Sequence, residues 1–381
     1  MTRFLVPAAL FTLAVAVVPG AAPACAPAPP FGQRVDVTAE TALIVWDEAN
    51  KVQHFIRRGT FQSTGSDFGF IVPTPHRPEL AAADEDVFKE LQRITAPAVE
   101  VRRSPLGGGC GAAAPAAKSD AMPAGVVVLE QKRVGDYDAA VLAFNPAKGD
   151  DPAAGAAELA RWLRDHGYAF SPSLTEWLKP YVRDGWVVTA FRIAGQPPPL
   201  EPEPDRAATG KGGDARRPGG LRSSVVRMSF KTDRPFFPYR EPADQRDEQA
   251  GRVPRSLRVY LVGPKRFAGK LGDGSRPWPG RVVWANHVGN ADRNALAERA
   301  QLPTGLSDRV LWLTEFEDDS TPRPGTDEVY FEPSADQSPV ARPPDIIYQV
   351  DPRPWWLAAA GCCGLPVLFT AAVVLGWRRR R

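Results

Sequence analysis

The sequence predicts an α+β fold, in which a mostly antiparallel β-sheet body carries a central pair of helices and is followed by one C-terminal transmembrane helix. Runs of β-branched and aromatic residues recur along the chain and end at turn residues or prolines, which is typical of strands. Two amphipathic patterns with capping residues lie near the middle of the sequence and indicate the helices. The chain has 40 prolines in 381 residues, which excludes an all-helical bundle because proline interrupts helices.

The first predicted strands lie in the N-terminal third of the chain. Thr41–Trp46 is a short β-branched run closed by turn residues, and Lys51–Phe61 is expected to pair with it as a hairpin. Asp67–Val72 forms another strand, which Pro73 and Pro75 should stop because proline has no N–H to donate. Gly69 within this strand is expected to allow close packing. Further strands are expected at Gly125–Lys132, Asp138–Phe144 and Trp186–Ile193.

The two central helices are predicted from their capping residues. Asp151 fits the N-cap of the first helix, and Gly167 fits its end. Ser173 and Glu176 have the spacing of a capping box for the second helix, and Pro180 should kink or split it. A shorter helix is predicted earlier, with an apolar stripe formed by Val87, Phe88, Leu91 and Ile94.

The exported body is predicted to have two parts. Residues 25–194 form its N-terminal part, and residues 221–350 form a C-terminal, β-rich part. Between them, residues 195–220 are rich in proline, glycine and charged residues, which predicts a disordered insertion. Strands of the second part are expected at Leu221–Phe230, Leu257–Val262, Arg281–Trp284 and Val310–Phe316.

The N-terminus has the pattern of a secretory signal peptide. Arg3 precedes an apolar run from Phe4 to Val18, and the small residues that follow end at Cys25. This pattern predicts a signal peptide over residues 1–24, removed after export. The alternative is a lipoprotein signal in which Cys25 is lipidated, although Ala22 stands where that signal usually has a large aliphatic residue.

The C-terminus has the pattern of a membrane anchor. Trp355–Trp377 carries no charged residue, is long enough to cross a bilayer, and has tryptophans at both ends. The arginines at 378–381 should stay in the cytoplasm, which predicts a single-pass protein of the cell membrane with an extracytoplasmic body. The alternatives are a buried core helix with a basic tail, or a sorting signal that is later cut.

Cysteine usage and charge restrict the partners of the body. Cys362 and Cys363 lie inside the predicted span, so Cys25 and Cys110 are the candidates for one disulfide outside the cytoplasm. The net charge of +3 comes from the targeting ends and leaves a nearly neutral body, which predicts no nucleic-acid partner. The glycine-rich segment at 107–111 lacks the Lys-Ser/Thr of a phosphate loop, and no cofactor is expected.

Catalytic candidates are few. His54 and His76 flank the predicted strand that begins at Asp67, so the three side chains are candidates for a general acid–base site. The alternative interpretation of both histidines is strand-edge or surface packing. His166 lies at a helix C-terminus, where a partly positive imidazole is favourable for electrostatic reasons alone.

Two further patterns are candidates for ligand binding. Glu317, Asp318 and Asp319 belong to an acidic cluster that could bind calcium, or that forms a solvated hairpin. Four aromatic residues close to prolines form either a recognition surface for glycan or peptide or part of a packed core: Phe236, Phe237, Trp278 and Trp284.

Several short motifs occur in an order that resembles a known family. They are Asp67–Pro75, Arg161–Leu163 with Gly167 and Tyr168, and Arg227–Phe230 with the prolines after it. Across residues 25–265 the chain resembles the bacterial domain-of-unknown-function 2330 family. The resemblance implies an exported bacterial protein, often with a C-terminal membrane helix. That family has no established activity, so the resemblance assigns no catalytic residue, and the chain has fewer cysteines than many relatives.

These observations favour a membrane-anchored envelope protein whose body is a binding or structural module, with an envelope protein or a glycan as partner. An enzyme is the less favoured prediction because no catalytic motif is evident. The alternative function is an extracytoplasmic hydrolase that uses Asp67 with His54 or His76.

Overall fold

The computed structural model describes residues 27–28, 35–63, 69–103, 128–143, 151–168, 171–193, 220–243, 246, 255–303 and 310–349. These residues form two units. One unit contains the parallel pair of strands β6 (Val99–Arg103) and β18 (Asp345–Gln349). The other described strands and helices belong to the second, larger unit.

The targeting segments lie outside the described residues. They are the predicted signal peptide at 1–24, the predicted span at 355–377 and the arginine tail at 378–381. The predicted insertion at 195–220 also lies outside the described residues, except for Gly220. Within the part of the chain that the structure describes, none of the helices combines the length and the apolar character needed to cross a bilayer.

Two large sheets face each other in the larger unit. The larger of them, called the long sheet here, contains a central hairpin. Asp47 Oδ1 accepts hydrogen bonds from the backbone N–H groups of Ala49 and Asn50, each at 3.1 Å, and so stabilises the turn of the predicted hairpin. In spatial order the strands are β15 (Arg281–His287), β16 (Trp312–Asp318), β13 (Ser256–Gly263), β2 (Val35–Asp47), β3 (Val52–Ser63), β11 (Val226–Lys231) and β5 (Glu79–Ala82), with β10 (Gly220–Arg222) also paired to β3. Strands β13 and β2 are parallel, and the other pairs are antiparallel.

A second, shorter sheet is antiparallel throughout. In spatial order its strands are β1 (Pro27–Ala28), β4 (Gly69–Thr74), β9 (Val187–Ile193), β8 (Tyr137–Leu142) and β7 (Val128–Val134). A small third sheet contains β12 (Phe236–Phe237), β17 (Val329–Pro333) and β14 (Phe267–Leu271).

The larger unit is layered, with helices on the outer faces of both large sheets. Helices α1 (Asp86–Ile94) and α4 (Asn290–Arg299) pack against one face of the long sheet. Helices α2 (Pro152–Asp165) and α3 (Pro172–Arg183) cover the outer face of the short sheet. The inner faces of the sheets share one apolar core, in which the rings of Phe61 and Phe70 stack with centroids 6.2 Å apart. The predicted α+β class is therefore confirmed.

The alternation of residues along β4 decides which layer each side chain joins. Phe70 and Val72 enter the core between the sheets, whereas Ile71 packs against the helices on the other side. The strand continues through Pro73 and ends at Thr74, so the predicted stop at Pro73 was wrong and the stop at Pro75 is confirmed. Strand β1 pairs only with Gly69 and Phe70, and among the described strands Pro73 therefore has no ladder partner on that side.

The N-cap of α3 and the strand predicted over 221–230 differ from the prediction. Ser171, not Ser173, caps α3, and its side chain accepts from the N–H of Leu174 at 3.0 Å. The sequence predicted a kink or a split at Pro180, and helix α3 is not split there, because its buried face outweighs one lost backbone hydrogen bond. The strand predicted over 221–230 is divided into β10 and β11, and the hydroxyl of Ser223 between them accepts from the N–H of Gly59 at 2.8 Å.

A candidate binding cleft at the end of helix α2

A cleft of about 280 Å³ lies between the C-terminal end of α2 and the outer face of the short sheet. Its walls come from β7, β8 and β9 on one side and from α2 and the turn after it on the other. Apolar and polar groups converge there, which is typical of ligand sites.

The turn after α2 positions one wall of the cleft. The helix begins at Asp151, whose side chain accepts from the N–H of Ala153 at 2.9 Å, as the sequence predicted. It ends where Gly167 adopts a φ of 82°, a conformation that glycine reaches without strain. The N–H of Tyr168 then donates to the carbonyl of Leu163 at 2.9 Å, which brings the tyrosine ring back towards the sheet.

Three aromatic rings line this wall. Trp162 and His166 are one helical turn apart, and their rings stack with centroids 3.9 Å apart and planes inclined by 12°. The Tyr168 ring lies 6.4 Å from the Trp162 ring. The Nδ1 atom of His166 is 2.6 Å from the carbonyl oxygen of Trp162, and since a carbonyl only accepts, Nδ1 carries the proton.

Two polar atoms of the aromatic wall lack hydrogen-bond partners in the part of the chain that the structure describes. Nε1 of Trp162 and Nε2 of His166 are buried, and neither has a partner among the described residues. The Trp162 side chain is only 4% exposed. A buried polar atom without a partner costs about 1–3 kcal/mol, so native proteins rarely leave one unsatisfied. Both residues contribute to the lining of the cleft.

A row of charged side chains crosses the sheet at the other wall. Asp138 on β8 is directly opposite Arg133 on β7 and Arg192 on β9. Directly opposed residues of antiparallel strands point to the same face, so the three side chains are neighbours. Lys132 also contributes to the lining, but its ammonium donates to the carbonyl of Leu80 at 2.8 Å. Arg133, Arg192 and Asp138 all contribute to the lining of the cleft.

Gly69 supports the wall that Tyr168 forms. Gly69 is opposite Arg192 on β9, at the end of the charged row. A Cβ atom on this glycine would lie 2.2 Å from Cε1 of Tyr168 and 2.6 Å from the carbonyl oxygen of Phe191. The predicted role of Gly69 in close packing is confirmed, since only glycine allows the tyrosine ring to lie this close to β4.

Comparison with known proteins places the chain in a family. A family model described as "uncharacterized protein conserved in bacteria" (DUF2330) matches residues 19–323. The chain belongs to the DUF2330 family. The predicted resemblance is confirmed, and the match extends beyond the residues on which that resemblance depended.

Other comparisons add no function to this DUF2330 chain. No curated protein matches it. The crystal structure of baculovirus P35 is similar over 82% of this chain and 98% of that chain, with 10% sequence identity and a TM-score of 0.32. A similarity of this size carries no argument about fold or function.

The catalytic candidates of the DUF2330 chain are only partly brought together. His54 on β3 is 6% exposed, and its Nδ1 lies 2.8 Å from Oγ of Ser229 on β11. Burial, followed by the charge of Arg227, lowers the pKa of His54 to about 4. His76 is exposed and contacts the carbonyl of Lys231 instead, at 2.9 Å. Asp67 lies outside the described residues.

The calcium candidates are each paired with a cationic or hydroxyl group. Glu317 lies 3.0 Å from both Arg258 and Arg281, and Asp319 lies 3.2 Å from Arg281. Asp318 is buried and accepts from the hydroxyl of Tyr239 at 2.7 Å. No group of three or more metal-ligating side chains is arranged to hold an ion in the described part of the chain.

The remaining candidates of the DUF2330 chain do not form a surface site. Phe236 and Phe237 are fully buried, Trp278 is 7% exposed, and Trp284 is half-buried. The structure therefore favours the packed core over the recognition surface for these aromatic residues. The cysteines of the predicted disulfide, Cys25 and Cys110, lie outside the described residues.

The cleft was not predicted from the sequence, although the spacing of its residues indicates that some of them lie together. Trp162 and Tyr168 belong to the motifs of the family resemblance. The position of His166 at a helix C-terminus is explained in the sequence by the helix dipole alone. The spacing of Trp162 and His166 places both rings on one helical face, and Gly167 returns the chain towards the sheet. Because the opposing charged row depends on strand register, the sequence alone does not place it beside these rings.

Proposed function

We propose that this DUF2330 protein is a single-pass, membrane-anchored protein of the bacterial envelope, whose extracytoplasmic body binds a small ligand in the α2 cleft. The observation that carries the binding role is a pair of buried atoms, Nε1 of Trp162 and Nε2 of His166, which have no hydrogen-bond partner among the described residues and belong to side chains that line the cleft. A ligand with donors and acceptors would satisfy both atoms.

The envelope location rests on the two ends of the sequence. Residues 1–24 have the pattern of a signal peptide, and Trp355–Trp377 has the length and the flanking tryptophans of a membrane anchor. The four arginines at 378–381 favour a cytoplasmic C-terminus. The body therefore lies outside the cytoplasm in this proposal.

Protease accessibility tests the topology. Cells expressing the full chain with an epitope tag after Arg381 are treated with protease after any outer membrane is permeabilised. We expect the body to be degraded while the tag survives on a short membrane fragment. A body that stays protected, or a tag that is lost from intact inner membranes, would refute the proposed orientation.

Fluorine NMR tests the binding role on the full-length protein in detergent. The 10 tryptophans are replaced by 5-fluorotryptophan, and the Trp162 signal is identified as the one missing in W162F. We expect a small-molecule extract of bacterial envelopes to shift the Trp162 signal but not that of Trp46, which lies in the core between the sheets. If no extract fraction shifts the Trp162 signal, the cleft is not a ligand site.

The second candidate function is an extracytoplasmic hydrolase that uses Asp67 with His54 or His76. One contact favours it: a neutral His54 beside the Ser229 hydroxyl, at 2.8 Å, is a pair that can activate a nucleophile. Turnover of a simple p-nitrophenyl ester by the full chain, lost in H54Q and in D67N, would support the hydrolase. Turnover that both variants retain would exclude it.

A further inference from the structure

We propose that the parallel pair of strands β6 and β18, called the ribbon here, is a dimerisation surface at which a second copy of this chain adds its own strand β18. The inference goes beyond ligand binding in the α2 cleft, and it rests on the membrane-anchored location proposed above. Three observations carry it: the edge of the ribbon, its exposed apolar side chains, and the short segment that joins it to the predicted anchor.

The ribbon offers a strand edge to a partner. Each of its strands is five residues long, and among the described strands neither pairs with a third one. A sheet of two strands is marginally stable in water, and parallel pairing is slightly weaker per residue than antiparallel pairing. The outer edge of β18 therefore presents backbone N–H and C=O groups that an added strand can satisfy.

Exposed apolar side chains are concentrated on the ribbon. In the described part of the chain three large apolar side chains are exposed, and two of them belong to the ribbon: Val99, which is 59% exposed, and Ile346, which is 40% exposed. The third is Val310. Exposed apolar groups beside a strand edge promote strand addition, so proteins usually avoid them unless the edge is used. The ribbon thus has the character of an interface.

The residue pairs of the ribbon argue against burial in lipid. Val99 is opposite Asp345, and Ile346 is opposite Glu100. Opposed residues of paired strands share a face, so each pair places a carboxylate beside an aliphatic side chain. Insertion of either face into hydrocarbon would remove a carboxylate from water at high cost. Strand addition uses backbone groups and needs no wholly apolar face.

The position of the ribbon in the sequence favours a second copy as the partner. Strand β18 ends at Gln349, six residues before Trp355, where the predicted span begins. An extended chain covers about 3.5 Å per residue, so the end of β18 lies within about 20 Å of the span. Two anchored copies hold their β18 strands at the same height above one membrane, which raises the effective concentration of each strand for the other.

The sequence of the predicted span favours the same pairing. Ala360 and Gly364 are small and four positions apart, a spacing that lets two membrane helices approach closely. A two-fold axis along the membrane normal would relate the two spans and the two β18 strands alike. An unrelated envelope protein offers no such match at both places.

Photo-crosslinking in cells identifies the partner. The full chain is expressed with p-benzoylphenylalanine in place of Asp345, an exposed residue of β18, and the cells are irradiated. We expect a crosslinked band of twice the mass of the chain that contains this chain alone. The control position is Val310, which is exposed outside the ribbon and should give no such band. A crosslink to a different protein, or no protein crosslink from position 345, would overturn the inference.

Energy transfer between labelled copies measures the strength of the contact. Full chains with a donor or an acceptor on a tag after Arg381 are mixed in lipid vesicles, and the transfer is followed as lipid is added. I346K places a charge on the edge strand, a device by which natural proteins block strand addition, and it should weaken dimerisation at least about tenfold. V310K is the matched control and should dimerise as the wild type does.

Two results of this comparison count against the ribbon. Equal weakening in I346K and V310K would overturn the inference, as would unchanged dimerisation of an I346K protein whose circular dichroism matches that of the wild type. If I346K does not fold, the crosslink from position 345 decides, because that position is exposed and leaves Ile346 in place.

The outcomes separate this inference from the proposed function. Neither measurement uses the α2 cleft, so a failure of the ribbon leaves the binding role standing. If protease gives the expected membrane fragment but position 345 gives no homodimer band, the proposed location stands and the inference is overturned. If the body stays protected from protease, the proposed location fails, and the inference fails with it because both copies must be anchored in one membrane.

Discussion

The guanidinium of Arg57 lies 2.7 Å from the carboxylate of Glu40, and both side chains are at most 2% exposed. These residues belong to neighbouring strands of the long sheet, and the Arg57 guanidinium also lies 4.5 Å from the centre of the Phe70 ring on the short sheet. One ion pair therefore contributes to the core that joins the two sheets. A buried charge of this kind depends on its partner, because water cannot replace it.

Removing the cation should destabilise the protein more than removing both charges. We expect R57M to lower the free energy of unfolding by about 3–5 kcal/mol, because the Glu40 carboxylate stays buried without this ion pair. In the double variant R57M/E40L no such carboxylate remains, and we expect a smaller loss. Urea unfolding of the full chain measures both values. A double variant less stable than R57M would contradict this account of the pair.

Acid should weaken the fold through His54. Burial lowers the pKa of this imidazole from 6.5 to about 4, so the unfolded chain takes up the proton at a higher pH than the folded chain does. The stability that this neutral histidine contributes is complete above pH 6.5 and is lost as the pH falls to about 4. The loss amounts to about 3 kcal/mol.

The variant H54Q isolates this effect, because glutamine can keep a hydrogen bond to Ser229 but does not titrate. Between pH 6.5 and 4, the unfolding free energy of H54Q should fall less steeply with decreasing pH than that of the wild type. The two slopes should differ by about 1.4 kcal/mol per pH unit. Parallel pH profiles of the two proteins would show that the His54 proton is not linked to folding.

Gly69 should be intolerant of any side chain. A methyl group there would meet the Tyr168 ring at 2.2 Å and a backbone oxygen at 2.6 Å, so G69A should cost about 2–3 kcal/mol of stability and displace Tyr168 from the cleft wall. Thermal unfolding and the Trp162 fluorine signal report the two effects.

G167A is the matched comparison. Its methyl group meets nothing closer than 3.9 Å, and the substitution should cost only about 1–2 kcal/mol because the φ of 82° is strained for alanine. If G167A destabilises the protein more than G69A, packing at Gly69 is not the dominant constraint.

Glu328 should act mainly as a hydrogen-bond acceptor. Its carboxylate is 2% exposed and accepts from the hydroxyl of Tyr181 and from the backbone N–H groups of Tyr239 and Arg240, the latter two at 2.7 and 3.2 Å. Burial raises the pKa of this carboxyl and so favours its neutral form, which a glutamine resembles.

We therefore expect E328A to cost about 3 kcal/mol or more, because the buried N–H of Tyr239 and the part-buried N–H of Arg240 lose their acceptor. E328Q keeps an acceptor oxygen and should cost less, about 1–2 kcal/mol. Chemical unfolding of both variants tests the difference. Equal losses would indicate that the negative charge, and not the acceptor geometry, is what the site requires.

Local sequence patterns predicted much of the secondary structure. The β2–β3 hairpin, the N-cap at Asp151 and the end of the first central helix at Gly167 were all predicted, since each depends on a few neighbouring residues. Helix α4 was missed because its sequence has little apolar periodicity, and only Leu296 and Arg293 are buried. Ser171 replaced Ser173 as a cap because Pro172 is favourable at the first position of a helix.

The sequence by itself determined the α+β class, the positions of most strands and helices, and the family of the chain. The tertiary structure alone decided which side chains meet: His54 with Ser229, Arg57 with Glu40 and Phe70, and the rings of α2 with the row through Asp138. Secondary structure follows from patterns within a few residues, whereas these contacts depend on strand register and layer packing between segments far apart in the chain. The candidate cleft depends on such contacts, and its composition became evident only when the sheet and helix were placed together.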